Sequence, residues 1–128
     1  MTDKVKYWLE LSDYDLDTAR AMYATKRYLY VGFMCHQTIE KIIKAYYSYK
    51  KNNISPFSHS LSHIAKKGEF YNEFNDAQKD FIDQLEPLNI EARYPSDKER
   101  LFKSLTEERC QIILTKTKEL QKWIKAKL

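Results

Sequence analysis

The residues of this chain most able to do chemistry together are Gln37, Glu40, Lys41 and Lys44, set close to three or four positions apart in a run otherwise rich in Ile, Phe, Met and Tyr. On a helix, that spacing gathers them into one polar stripe with His36 at its edge. Two readings are open. As a solvated face, the stripe holds a Glu40–Lys44 pair at i,i+4, worth a few tenths of a kcal/mol. As a ligand-binding site, it lets Lys41 and Lys44 present charge to a phosphate or to a second copy of the chain.

His59 and His63 lie four apart, the spacing of two ligands on one helical turn. A zinc site needs three or four protein ligands, and here neither an intervening acid nor a clearly placed third ligand appears, so no metal is expected. His59 follows Ser55-Pro56-Phe57-Ser58 at the start of a helical pattern. It either orients that loop by hydrogen bonds or supplies an imidazole for acid–base work. Arg93 sits in an irregular stretch, with Tyr94 and Pro95 fixing its direction. It suits bidentate phosphate binding, with Tyr94 available to stack on a base. Equally, it could cap the carbonyls of a helix end or pair with Asp13 or Asp15. No GxSxG, Walker or glycine-rich dinucleotide pattern occurs, and no cofactor is expected.

The elements that must position these residues are helical. Val5, Leu9, Ser12, Leu16, Ala19 and Tyr23 recur in alternating steps of four and three, which predicts a first helix opened by Asp3. The period restarts with Val31, Cys35, Thr38, Ile42, Ala45 and Tyr49. Phe33, Met34, Ile39, Ile43 and Tyr46 make this second helix apolar nearly all round at first, as befits the centre of a bundle. A polar stop at residues 50–56 leads into a short third helix from His59 to Lys67, closed by Gly68 in a left-handed conformation. Ala77, Phe81, Ile82, Leu85 and Leu88 predict a fourth helix, opened by Asn75 or Asp76 and ended or bent at Pro87. Residues 89–103 show no sustained period, and Arg93 to Asp97 reads as an ordered loop. Ser104-Leu105-Thr106-Glu107 has capping-box spacing, and Cys110, Ile113, Thr117, Leu120 and Ile124 mark the last helix. The expected fold is all-α, an up-and-down bundle of four or five helices forming one domain over residues 1–128.

Composition agrees. Of 128 residues, 43% are hydrophobic and 31% charged with both signs interspersed, and only two glycines and three prolines are present, so little tight-turn chemistry is available. A net charge of +4 permits an RNA partner without demanding one. Cys35 and Cys110 are isolated in apolar segments and read as buried thiols of a reducing compartment, which suggests the cytoplasm. No apolar run approaches membrane-spanning length and no export signal opens the chain. The tyrosines at 46, 47 and 49 suit core and interface better than base stacking. The lysines at 116, 118, 122, 125 and 127 look like solubilising charge.

Taken in order, Asp13-Tyr14-Asp15-Leu16-Asp17-Thr18-Ala19, Tyr28 through Gly32-Phe33, His36-Gln37, Glu40-Lys41, Lys44-Ala45, His59-Ser60-Leu61 and Arg93-Tyr94-Pro95 resemble the HEPN domains of prokaryotes. The resemblance implies a helical homodimer with a cleft where arginines of both protomers meet. It also implies one of three roles: a ribonuclease, a toxin silenced by a minimal nucleotidyltransferase partner, or a nucleotide-binding module. Family ribonucleases carry an Arg-x4–6-His motif. Counting from Arg93, its histidine positions hold Lys98, Glu99 and Arg100. Arg93-Tyr94-Pro95 is instead similar to the branch often encoded beside a nucleotidyltransferase. The leading expectation is a homodimer that binds a nucleotide or RNA through Gln37, Glu40, Lys41, Lys44, Arg93 and Tyr94, and works with such a partner in a toxin–antitoxin-like module. The alternative is a metal-independent ribonuclease in which Arg93 stabilises the transition state and His59, or His36, replaces the missing histidine.

Overall fold

The computed structural model describes residues 1–90 and 94–128, so Arg93 lies outside the described residues. Within them the chain forms six helices and no strand: α1 (Asp3–Ala24), α2 (Tyr28–Lys51), α3 (Leu61–Lys67), α4 (Asp76–Leu85), α5 (Pro95–Ser104) and α6 (Glu107–Lys125). Single 3-10 turns follow α3 and α4, at Tyr71–Glu73 and Glu86–Leu88. None of these helices is long and apolar enough to cross a membrane. The all-α bundle expected from periodicity is present, with α2 at its centre.

That centre follows from composition. Val31, Cys35, Ile39, Ile42, Ile43 and Ala45 of α2 are fully buried, each large aliphatic side chain contributing about 1.5–3 kcal/mol. The flanks are α1, through Val5, Leu16 and Ala19, and α6, through Cys110, Ile113, Leu120 and Ile124. Ser12 is one of the buried polar residues where the three long helices meet. Its hydroxyl donates to the Thr38 carbonyl at 2.7 Å and accepts from Gln121 Nε2 at 3.0 Å, so a buried polar group is satisfied from both sides. Burial pushes the Cys35 thiol up to about 12 and that of Cys110 to about 11, so both are inert at neutral pH.

The helix ends depart from the sequence reading in four places. Thr2, not Asp3, caps α1, because it has the extended backbone that lets its hydroxyl accept from Val5 N. The cap of α6 is Thr106, which accepts from Arg109 N, while Ser104 closes α5. Helix α3 begins two residues later than expected because Ser60 caps it by accepting from His63 N. Gly68 follows α3 at φ −77°, and the left-handed residue is Glu69 at φ 63°. Glycine at 68 is needed for space, since a Cβ there would lie 2.3 Å from the Phe70 ring. At α4 the expected cap holds: Asn75 and Gln78 form a reciprocal capping box, and Pro87 lies in the 3-10 turn that ends the helix.

The largest correction is α5. Residues 95–104 are helical, with Pro95 opening the first turn, where its missing N–H costs nothing. None of its residues is buried, so the helix leaves no apolar period to read.

Candidate functional site

The polar stripe of α2 is a buried network instead of a solvated face. Glu40 is 1% exposed. Its Oε2 lies 3.2 Å from Lys44 Nζ, and Lys44, itself buried, sits 4.9 Å from the centre of the Trp8 ring of α1. Oε1 lies 3.0 Å from Nδ1 of His59, whose side chain is 63% exposed, and 4.0 Å from Nδ1 of the buried His36. An ionised carboxylate only accepts hydrogen bonds, so with Glu40 ionised His59 Nδ1 is the donor. The ring's other nitrogen, Nε2, is left for solvent or a ligand. A buried carboxylate therefore fixes the tautomer and the plane of a solvent-facing imidazole, the arrangement that suits a histidine to proton transfer or phosphate binding.

The loop carrying His59 is anchored on both sides. Glu86, in the turn after α4, accepts from Ser60 Oγ at 3.0 Å and from Leu61 N at 2.5 Å, so it satisfies the first N–H of α3 and holds the hydroxyl of its capping residue. Ser58 Oγ accepts from Ser60 N, and the Ser58 N–H donates to the Pro56 carbonyl. On the inner side His36 Nδ1 meets Gln37 Oε1 at 3.2 Å. Burial holds the His36 imidazole below its usual titration range despite that hydrogen bond and the nearby Glu40 and Glu86 carboxylates. His36 is thus a neutral buried brace, and of the two histidines considered as acid–base groups only His59 reaches solvent.

Lys41 and Lys44 are each bound within the molecule, Lys41 to Asp15 at 3.2 Å and Lys44 to Glu40. Their charges are matched by carboxylates of the same chain, and Gln37 is half-buried against His36. Tyr94 is exposed beside the start of α5. Asp13 is taken by Lys125 at 2.7 Å and by Gln121. Trp8 and Glu86 were missed in the sequence. Trp8 falls between the marked apolar positions of α1, and Glu86 caps a helix 25 residues upstream, a relation with no local signal. Ser60 carried one, as a serine immediately before a helical run. No cluster of three potential metal ligands occurs among the described residues.

A family model described as the HEPN domain matches residues 5–127. The fold is similar to the crystal structure of TT1696 from Thermus thermophilus, with a TM-score of 0.83 and 16% identity over 99% of this chain and all of that one. It is also similar to ST0689, described as an archaeal HEPN homologue, with a TM-score of 0.68 and 17% identity over 98% of each chain. No curated protein sequence matches. At these identities the structural likenesses speak to the fold alone, whereas the family model covers nearly the whole chain: it belongs to the HEPN domain family.

Proposed function

We propose that this chain is a cytoplasmic homodimer that binds a nucleotide or RNA phosphate at the His59 corner, with Arg93, Tyr94 and the Gln37–Lys44 stripe contributing, and that it acts with a minimal nucleotidyltransferase in a toxin–antitoxin-like module. The observation that carries this reading is the contact between buried Glu40 and exposed His59. Side chains whose only task is solubility are not held by a carboxylate buried in the core. Because Lys41 and Lys44 are already paired, the ligand contact within this network falls first to His59 Nε2, and the bidentate phosphate contact is assigned to Arg93 by its residue type. The Arg93-Tyr94-Pro95 resemblance supports the partner.

A second reading rests on the same contact. A carboxylate-oriented imidazole is equipped to take a proton from a ribose hydroxyl or give one to a leaving oxygen, which makes metal-independent RNA cleavage the alternative, with Arg93 facing the developing negative charge.

The test is retention and cleavage of labelled single-stranded and structured RNAs in EDTA by wild type, His59→Ala and Arg93→Ala. Retention that falls in both variants supports binding, and unchanged retention in both sinks it. Cleavage present in wild type and absent in both variants moves the conclusion to the ribonuclease. Co-expression with nucleotidyltransferases followed by pull-down tests the partner, and a monomer that captures none refutes that part.

A further inference from the structure

The turn between α1 and α2 gathers a different set of groups. Lys26, at φ 61°, and Arg27, which precedes α2, are both exposed, and neither has a carboxylate partner among the described residues. The two cations share a cleft of about 190 Å³ with Tyr28, Leu29, Tyr30 and Phe102. Phe102 comes from α5 and is 66% exposed, and Tyr30 is 47% exposed. Exposed single aromatics are ordinary, but two of them beside two cations with no carboxylate partner among the described residues are a combination with a use.

The chemistry narrows the ligand. Two cations call for an anion, and the first turn of α2 adds no acid to oppose one. Exposed rings next to phosphate-binding cations are the pairing that holds a stacked base and its backbone. The cleft, about 190 Å³, falls below the roughly 300 Å³ at which pockets begin to enclose a small ligand, so a nucleotide would be only partly covered here and would gain from neighbouring units that continue over the surface.

We propose that the cleft formed by Lys26, Arg27, Tyr30 and Phe102 is a binding site for single-stranded nucleic acid, in which a base stacks on Phe102 or Tyr30 while Lys26 and Arg27 hold the adjoining phosphates. The proposal deepens the RNA-binding reading and rests on it, adding a contact on a surface apart from the His59 corner. It makes single strands the preferred substrate, because a paired base has no free face to offer the rings.

The test is a titration of fluorescently labelled oligouridylate, with a hairpin duplex as control, against wild type, Phe102→Ala, the double variant Lys26→Gln/Arg27→Gln, and His59→Ala. Circular dichroism checks that each is folded. Phe102→Ala is expected to weaken oligouridylate binding by about five- to a hundredfold and to leave the duplex nearly unchanged. The double variant is expected to lower the slope of log affinity against log salt by about 1.4, two phosphates' worth. Binding that falls in His59→Ala but not in the cleft variants overturns this inference and leaves the proposed function standing. Binding that depends on the cleft but not on His59 does the reverse. A wild type that binds neither RNA overturns both. Cleft-dependent capture by anionic vesicles without capture of oligouridylate also overturns it, by assigning the patch to a membrane surface.

Discussion

Two carboxylates, Glu40 and Glu73, each collect partners from helix α2, and they do so in opposite environments. Glu73, in the turn after α3, accepts from the Tyr46 hydroxyl and from Lys50 Nζ, each at 2.7 Å, and lies 3.4 Å from Lys127 Nζ, with about a third of its side chain exposed. Those hydrogen bonds hold its carboxyl below the usual range. Glu40 also has three partners, Lys44, His59 and His36, but makes fewer hydrogen bonds and is buried. Counting hydrogen bonds would rank Glu73 first. Dielectric ranks them the other way, because water screens the charges around Glu73, while a lysine left alone beside the Glu40 site has little water to turn to. A structural clamp can afford solvent; a group that must set the angle of an imidazole needs burial.

This contrast can be broken most forcefully at Glu40. Glu40→Ala strands Lys44 beside Trp8 and frees His59, and is expected to destabilise the fold by about 3–5 kcal/mol in chemical denaturation. Adding Lys44→Ala should recover much of that loss; a double-mutant cycle with no coupling would show that the pair is not interacting. A smaller effect is expected on acidification. The folded-state titration of His36 is depressed, so its contribution is complete above the unfolded histidine value near 6.5 and is lost as pH falls below it toward the folded value. The thermal midpoint should therefore begin to fall below about pH 6.5, and His36→Gln should flatten that part of the curve whatever it does to absolute stability. The smallest effect belongs to Glu73→Gln, expected to cost no more than about 1 kcal/mol, with the loss shrinking further at high salt. A cost equal to that of Glu40→Ala would refute the contrast.

Much of this was legible in the chain, and what was not has identifiable causes. Alternating steps of three and four found α1, α2, α4 and α6 because each buries a stripe, with Cys110, Ile113, Thr117, Leu120 and Ile124 buried as the spacing required. The same method could not find α5, which packs only a half-buried Leu101 on the core and opens with a proline that also reads as a break. Glu40 and Lys44 could be paired from i,i+4 spacing. Their burial could not, because it depends on Trp8 from α1 and on the loop before α3, both remote in sequence. Gly68 was a correct signal for a helix end with a different cause, room for the Phe70 ring instead of a left-handed turn.

Helix α3 has only seven residues, a length at which an isolated helix has almost no stability in water. It persists because Glu86 grips its first turn and Phe70 fits against the Gly68 backbone just past its end, a ring itself packed edge-on against Tyr46 at 4.7 Å. His59 lies two residues before this doubly pinned helix, next to its capping residue Ser60. The entropy of fixing its ring is thus spent when the protein folds, so on the proposed reading a phosphate would meet an imidazole with its orientation already set.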